Sequence, residues 1–281
     1  MDTDELRRRV ASIDWYHSID LGGGVVTPGV SRNDVLQGNE LPPFAGRTVL
    51  DIGAWDGYYS FLAKRSGASR VIAFDEYVWC IDIPARDRYW KECEEAGVMP
   101  DPSRDEEFFD RAGLPGRRGF DLARSALGSK VEPVVGDLLT YDVAALGTFD
   151  VVLYLGVLYH VQEPLTALRR LRAVTREVAV IETEAIVVRD HEHEPLAMFW
   201  AGGELNADYG NWYSLSEPAL AGMCRAAGFS RVETKRMPID PLPAPAPPRP
   251  WARPQDRRNY DDVVAARRVT EHYRIVLHAF V

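Results

Sequence analysis

The 281-residue sequence has only three cysteines, Cys80, Cys93 and Cys224, an odd number with no paired spacing. That excludes a disulfide framework, argues against a zinc site, and fits a reducing compartment. Lysine is nearly as scarce, with Lys64, Lys91, Lys130 and Lys235 the only four among 33 basic residues. The arginine bias points to a GC-rich bacterial coding background more than to a binding mode. The longest apolar run, residues 151–159, falls far short of a bilayer. The opening residues MDTDELRRRV hold no signal-peptide core, so a soluble cytoplasmic protein without a membrane partner is expected. An all-over basic surface is missing too, because 33 Arg and Lys stand against 42 Asp and Glu, net −9. The balance is uneven: from Arg225 onward 11 basic residues face 6 acidic ones, +5, which leaves −14 on the rest.

What is present reads as a globular α/β chain, 46% apolar and 27% charged, long enough to bury a core without staples. A short helix is expected over 3–13, capped by Asp2 or Thr3. The stretch WYHSIDLGGGVVTPG, residues 15–29, cannot hold regular structure for long and reads as a loop or loosely paired hairpin. From Arg47 strands alternate with helices: RTVLDIG, RVIAFD, VEPVV, FDVVLYL, VAVIET, RVETKRM and YRIVLHAF are seven strand patterns. They predict one doubly wound, Rossmann-like, mostly parallel seven-stranded sheet in a single domain over 1–281. Residues 1–45 form its N-terminal helix and lid. Three longer segments stand out: 77–116 and 184–214, read as inserted substrate-side helices and loops, and a proline-rich arm over 238–254 with polyproline II character.

The motif with most chemical content is LDIGAWDGYYS, where Asp51, Gly53 and Gly57 give D-x-G-x-x-x-G between a strand and a helix. Glycines at such a turn let backbone approach a ligand, and Ala54 and Trp55 lie within it. No Gly-Lys-Ser/Thr follows, so it is not a phosphate-binding P-loop, and Ala54-Trp55 breaks the dinucleotide pattern. The next strand ends in Asp75-Glu76, where a carboxylate can accept from both hydroxyls of a ribose. The strand after it is followed by Asp137-Leu138, placed for an adenine amino group, and Leu155 closes the fourth strand. Taken in order, these signals resemble the S-adenosylmethionine (SAM) site of class I methyltransferases.

A closer resemblance runs from Trp15 to Val281, outside 77–116 and the proline arm. WYHSIDLGGGVVTPG, GRTVLDIGAWDGYYS, GVLYHVQEPLTALRRL, VIETEAI, NWYSLSEPALAGMCRAAGF and YRIVLHAF are similar to the bacterial tRNA wobble-uridine (5-oxyacetyl/5-methoxyuridine) methyltransferase-like family. The resemblance implies that Tyr159 and Arg274 help hold the sulfonium end of the cofactor. It also implies that users of carboxy-SAM present a lysine upstream of the glycine loop. No lysine precedes Lys64 here, which favours ordinary SAM over carboxy-SAM.

His160, beside Tyr159 at the end of the fourth strand, is a candidate general base, or else a hydrogen-bonding residue for the turn at Glu163-Pro164. His17 is the competing base, or the polar tip of a lid packed by Trp15 and Tyr16. Alignment alone can supply much of the rate of methyl transfer, so no base is strictly required. Trp200, Tyr209, Trp212 and Tyr213 either stack on a planar substrate or close the core. The run from Asp190 to Glu194 has donors for a divalent metal but lies in an acidic loop, and no metal cofactor is expected. The leading functional expectation is SAM-dependent methylation of an O or N atom of a small molecule in specialised metabolism. Its alternatives are a tRNA wobble-uridine methyltransferase, with Arg249, Trp251, Arg253, Arg257 and Arg258 as a basic arm, and a non-catalytic SAM-binding protein.

Overall fold

Residues 2–30, 36, 38–200, 202–206, 208–236 and 270–281 are described by the computed structural model. The proline-rich arm and its Arg249, Trp251, Arg253, Arg257 and Arg258 lie outside them. The residues group into two units. The first comprises Met1–Ile83, Phe108–Tyr154 and Ala173–Val180, and the second Pro84–Glu107, Leu155–Arg172 and Ile181–Val281.

In the first unit, helix α1 (Thr3–Val10) is capped by Asp2, whose Oδ1 accepts the Glu5 N–H at 2.8 Å. It stops three residues earlier than its apolar spacing predicts, where the Trp15 indole N–H donates to the Val10 carbonyl at 2.9 Å. Residues 15–29 form the loosely paired hairpin, with a bridge between Asp20 and Val26 around Gly22, Gly23 and Gly24, all at positive φ. The strands are β1 (Thr48–Ile52), β2 (Arg70–Asp75), β3 (Glu132–Val135), β4 (Phe149–Leu155) and the first half of β5 (Thr175–Val188), in the order β3-β2-β1-β4-β5. Their pairings β1–β2, β1–β4 and β2–β3 are parallel. Apolar β-branched runs such as TVLDI and FDVVLYL are buried on both faces, as a helix-covered parallel sheet requires. Helices α2 (Tyr58–Arg65), α3 (Tyr77–Cys80) and α5 (Arg118–Ala126) turn Phe61, Trp79 and Phe120 into this core.

The second unit takes up α4 (Ile83–Ala96) after its first residue, the first part of α6 (Pro164–Val174) and the second half of β5. It adds β6 (Ala197–Phe199), β7 (Tyr213–Ser216), α7 (Glu217–Ala226), β8 (Arg231–Arg236) and β9 (Thr270–Phe280). β5 pairs with β7 in parallel and with β9, whereas β6–β7 and β8–β9 are antiparallel. The α/β class and mostly parallel sheet are as expected, but nine strands are described where seven were predicted. The two additional ones, β6 and β7, come from the segment 184–214, where scattered aromatics hide the alternation of short edge strands. The 77–116 segment contributes α3, α4 and a 3₁₀ turn over Pro102–Phe108.

Candidate functional site

In the first unit the turn after β1 departs sharply from extended backbone. Gly53 (φ +77°), Trp55 (φ +47°) and Gly57 (φ +84°) are all left-handed, which explains two of the three residue choices. A Cβ on Gly57 would stand 2.6 Å from Phe120 and 2.7 Å from Phe61, so the second glycine also sets helix packing. The Gly53 and Ala54 N–H groups donate back to the Phe74 carbonyl, at 2.8 and 3.4 Å. Asp51 is buried beneath the turn, accepting the Ser60 hydroxyl at 2.6 Å and tying β1 to α2. Burial pushes its pKa up to about 6 despite that hydrogen bond and the nearby His17.

Asp75 is also buried, with Oδ2 accepting the Trp55 N–H and Oδ1 the Val78 N–H, each at 3.0 Å. Its pKa rises to about 6, again because burial outweighs the N–H donors. Three backbone N–H groups, those of Trp55, Val78 and Trp79, bind this carboxylate, so Asp75 orders the turn while retaining capacity for another donor. Glu76 is paired with Arg111 at 2.7 Å. Asp137 caps its own turn through the Leu139 and Thr140 N–H groups, at 2.7 and 3.0 Å, and Leu138 is buried.

Asp56 is a residue that sequence reading missed. It is buried, and its Oδ2 accepts the Tyr16 and His17 N–H groups at 2.7 and 3.0 Å while Tyr16 stacks on Trp55 at 4.0 Å. The lid segment is thereby stitched to the glycine turn. His17 is buried with Nδ1 3.7 Å from Asp56, and that nitrogen has no hydrogen-bond partner. No local pattern announces Asp56, because its partners are backbone groups 40 residues upstream.

In the second unit, Tyr159 and Arg274 lie together, with the guanidinium 4.8 Å from the Tyr159 ring centre. The Arg274 fork is engaged by Glu182, unforeseen, through Nε and through Nη2 at 2.6 Å. Burial works against the guanidinium charge, but Glu182 and Tyr159 hold it well above its ordinary range. Gly156 (φ +74°), next to Leu155, leaves room beside the pair. His160 packs against Tyr159, and its Nδ1 meets the Gly210 carbonyl at 2.9 Å rather than the turn that follows it. A carbonyl only accepts, so Nδ1 carries the proton and Nε2 is the lone-pair nitrogen. Crowding by protein pushes this surface-accessible imidazole below its usual pKa, with Arg274 and Arg86 acting the same way against Asp208.

Of the four aromatics, Trp200 belongs to the core: it is buried, its indole donates to the Ser214 hydroxyl at 2.8 Å, and it is corrected here from candidate stacking residue to structural one. Tyr209 packs edge-on against Trp90 of α4, itself covered by Arg86 at 4.1 Å. The Trp212 N–H donates to the Tyr159 carbonyl at 2.8 Å, and Trp212 and Tyr213 both contact the exposed Phe199. His191 pairs with Glu194 at 3.0 Å in an exposed turn. Among the described residues there is no group of three or more His, Cys, Asp or Glu able to hold a metal, and no helix long and apolar enough to cross a membrane.

A methyltransferase domain family model matches residues 34–234. The chain is 26% identical over 206 residues to the tRNA U34 carboxymethyltransferase of Cronobacter sakazakii, covering 72% of this chain and 51% of that protein. It is 25% identical over 193 residues to the enzyme of the same name from Mannheimia succiniciproducens, covering 68% and 48%. The chain thus spans about half the length of the curated relatives it matches. Among solved structures, the N-terminal domain of EvdMO1 in the presence of SAH and D-fucose superposes with a TM-score of 0.61 at 19% identity, over 100% of this chain and 97% of that one.

Proposed function

The chain belongs to the methyltransferase domain family, and from that premise we propose that it moves the methyl group of SAM to a hydroxyl or amine of a small molecule in specialised metabolism. The observation that carries this reading is the left-handed turn at 53–57 backed by the buried carboxylate of Asp75, with no lysine in it to meet a phosphate. Bound SAM supplies an electrophilic methyl group on a sulfonium. The chain's own groups bind, align and take up a proton. Gly53, Ala54 and Trp55 line the amino-acid end, where their N–H groups are spent on Phe74 and Asp75 and only backbone carbonyls can take a donor. Asp75 and Glu76 accept from ribose hydroxyls, and Asp137 with Leu138 serves the adenine edge. Leu155, Tyr159 and Arg274 belong to the sulfonium end, while Tyr209, Trp212 and Tyr213 form the acceptor side. His160, with its tautomer fixed by Gly210, and His17 are the imidazoles the sequence offers for proton removal. The lysine-free stretch before Lys64 supports ordinary SAM. SAH and D-fucose in the EvdMO1 domain support the same donor and a hydroxyl-bearing acceptor.

A second reading, methylation at a tRNA wobble uridine, is supported by the names of the curated relatives. Calorimetry with SAH tests the first step: absence of binding sinks both readings. Transfer of radiolabelled methyl from SAM is then followed with D-fucose and with bulk tRNA as acceptors. Label in D-fucose supports the small-molecule reading, and label in tRNA alone selects the other.

A further inference from the structure

Strand β2 ends at two consecutive acids that the first unit treats differently, at the carboxyl end of a parallel strand where ligands bind in such sheets. Asp75 is only 4% exposed and is held by backbone N–H groups. The Glu76 side chain keeps 16% exposure, and its Oε1 accepts the Arg111 Nε–H at 2.7 Å. Among the described residues nothing donates to Glu76 Oε2. One oxygen is anchored, and the other is left for a ligand.

Arg111 reaches that carboxylate from a firmly built limb over residues 108–117, which returns alongside α3 within the same unit. The Asp82 N–H donates to the Phe108 carbonyl at 2.8 Å and the Asp110 N–H to the Cys80 carbonyl at 2.7 Å, with Ile81 and Phe109 bridged between them. Asp110 then closes a tight turn, its Oδ1 accepting the Ala112 and Gly113 N–H groups at 3.1 and 2.7 Å. The Arg111 guanidinium lies 5.1 Å from the centre of the Phe109 ring, which packs edge-on against Tyr77 at 5.6 Å. A Cβ on Gly116 would collide with the Val78 carbonyl, so the limb lies directly on α3. A half-exposed ion pair contributes little to stability by itself, so this much tethering around Arg111 calls for another reason.

We propose that Arg111 is a positioning residue for the cofactor, holding Glu76 so that Oε2 is presented to the ribose hydroxyls of SAM. The inference rests on the methyl-transfer reading, and its residues all belong to the unit that carries the glycine turn. A glutamate side chain loses rotamer freedom when it grips a ligand. Arg111 removes that freedom in advance, so the hydroxyl meets a preorganised acceptor. A carboxylate accepting from a hydroxyl makes one of the stronger hydrogen bonds, which is why its placement matters. The return limb of 77–116, expected on the substrate side, thereby acts on the cofactor.

Calorimetry with SAH and with its 2′,3′-dideoxy analogue, which lacks both ribose hydroxyls, tests this. Arg111→Met is expected to weaken SAH about tenfold and to leave the weaker binding of the dideoxy analogue unchanged. Glu76→Gln should give a loss of the same order, and adding Arg111→Met to it no further loss, because the two residues act as one unit. The thermal midpoint of ligand-free Arg111→Met should move by less than about 3 °C, as for a half-exposed ion pair. Unchanged SAH affinity in Arg111→Met, an equal loss for the dideoxy analogue, or additive losses in the double variant each overturn the proposal. Failure of the wild-type protein to bind SAH would instead remove the underlying methyl-transfer reading.

Discussion

In the first unit the buried carboxylates face backbone N–H groups or a hydroxyl, as with Asp56 on Tyr16 and His17, Asp75 on Trp55 and Val78, and Asp51 on Ser60. In the second they face cationic or imidazole side chains, Glu182 on Arg274 and Glu184 on His272. Backbone donors fix loop shape and remain polar whatever side chains surround them. Side-chain partners can be lost by one substitution, but they also carry protons and charge. The first unit accordingly fixes the shape of its loops, and the second sets charged and proton-bearing side chains against each other.

The contrast is broken most severely at Glu182. Glu182→Ala leaves a partly buried guanidinium without its partner and is expected to cost about 3–5 kcal/mol in urea unfolding. Adding Arg274→Met should restore much of the loss, and wild-type stability of the single variant would show that the pair is not needed. At the glycine turn, Gly57→Ala combines a left-handed backbone with contact on Phe120 and Phe61, about 2–3 kcal/mol; an unchanged thermal midpoint would contradict that packing.

A pH series sharpens the comparison. Asp51 and Asp75 have folded pKa values raised from 3.8 to about 6, so the native state binds their protons more tightly than the unfolded chain. Their contribution is complete below about pH 4 and lost as pH rises through about 6, on the order of 3 kcal/mol apiece. Asp51→Asn should flatten the measured slope. Asp75→Asn is expected to weaken SAH binding by about tenfold in calorimetry, roughly one carboxylate hydrogen bond. Least affected is Asp56→Asn, which keeps an oxygen for Tyr16 and His17 but loses the charge, about 1 kcal/mol. Hydrogen exchange at those two amides would then rise while the β-strand amides stay protected.

The core elements were readable because their signals are local. PLTALRRLRAV gives α6 and FDVVLYL gives β4, residue for residue. SEPALAGMCRAAG gives α7, with Ser216 accepting from the Ala219 N–H as its cap and Gly228 at φ +102° past its end. The D-x-G-x-x-x-G turn was readable for the same reason. β6 and β7 were not, since three- and four-residue strands carry too few alternations to stand out from the aromatics around them. Trp200 was ambiguous in sequence, and burial beside Ser214 resolved it. Asp56, Glu182, Glu184 and His272 were overlooked because each owes its meaning to a partner distant in the chain.

Thus the sequence alone determined the α/β class and the glycine turn with its carboxylate at the next strand end. Short-range patterns suffice there: strand periodicity, glycine at positive φ and strand-end acids are all set by neighbouring residues. Only the tertiary structure decided which carboxylates are spent on backbone and which on side chains. It alone placed His272 on Glu184, 88 residues away in the chain. Whether a buried acid finds an N–H group, a guanidinium or an imidazole depends on strand register, and register is fixed by the packing of the whole sheet.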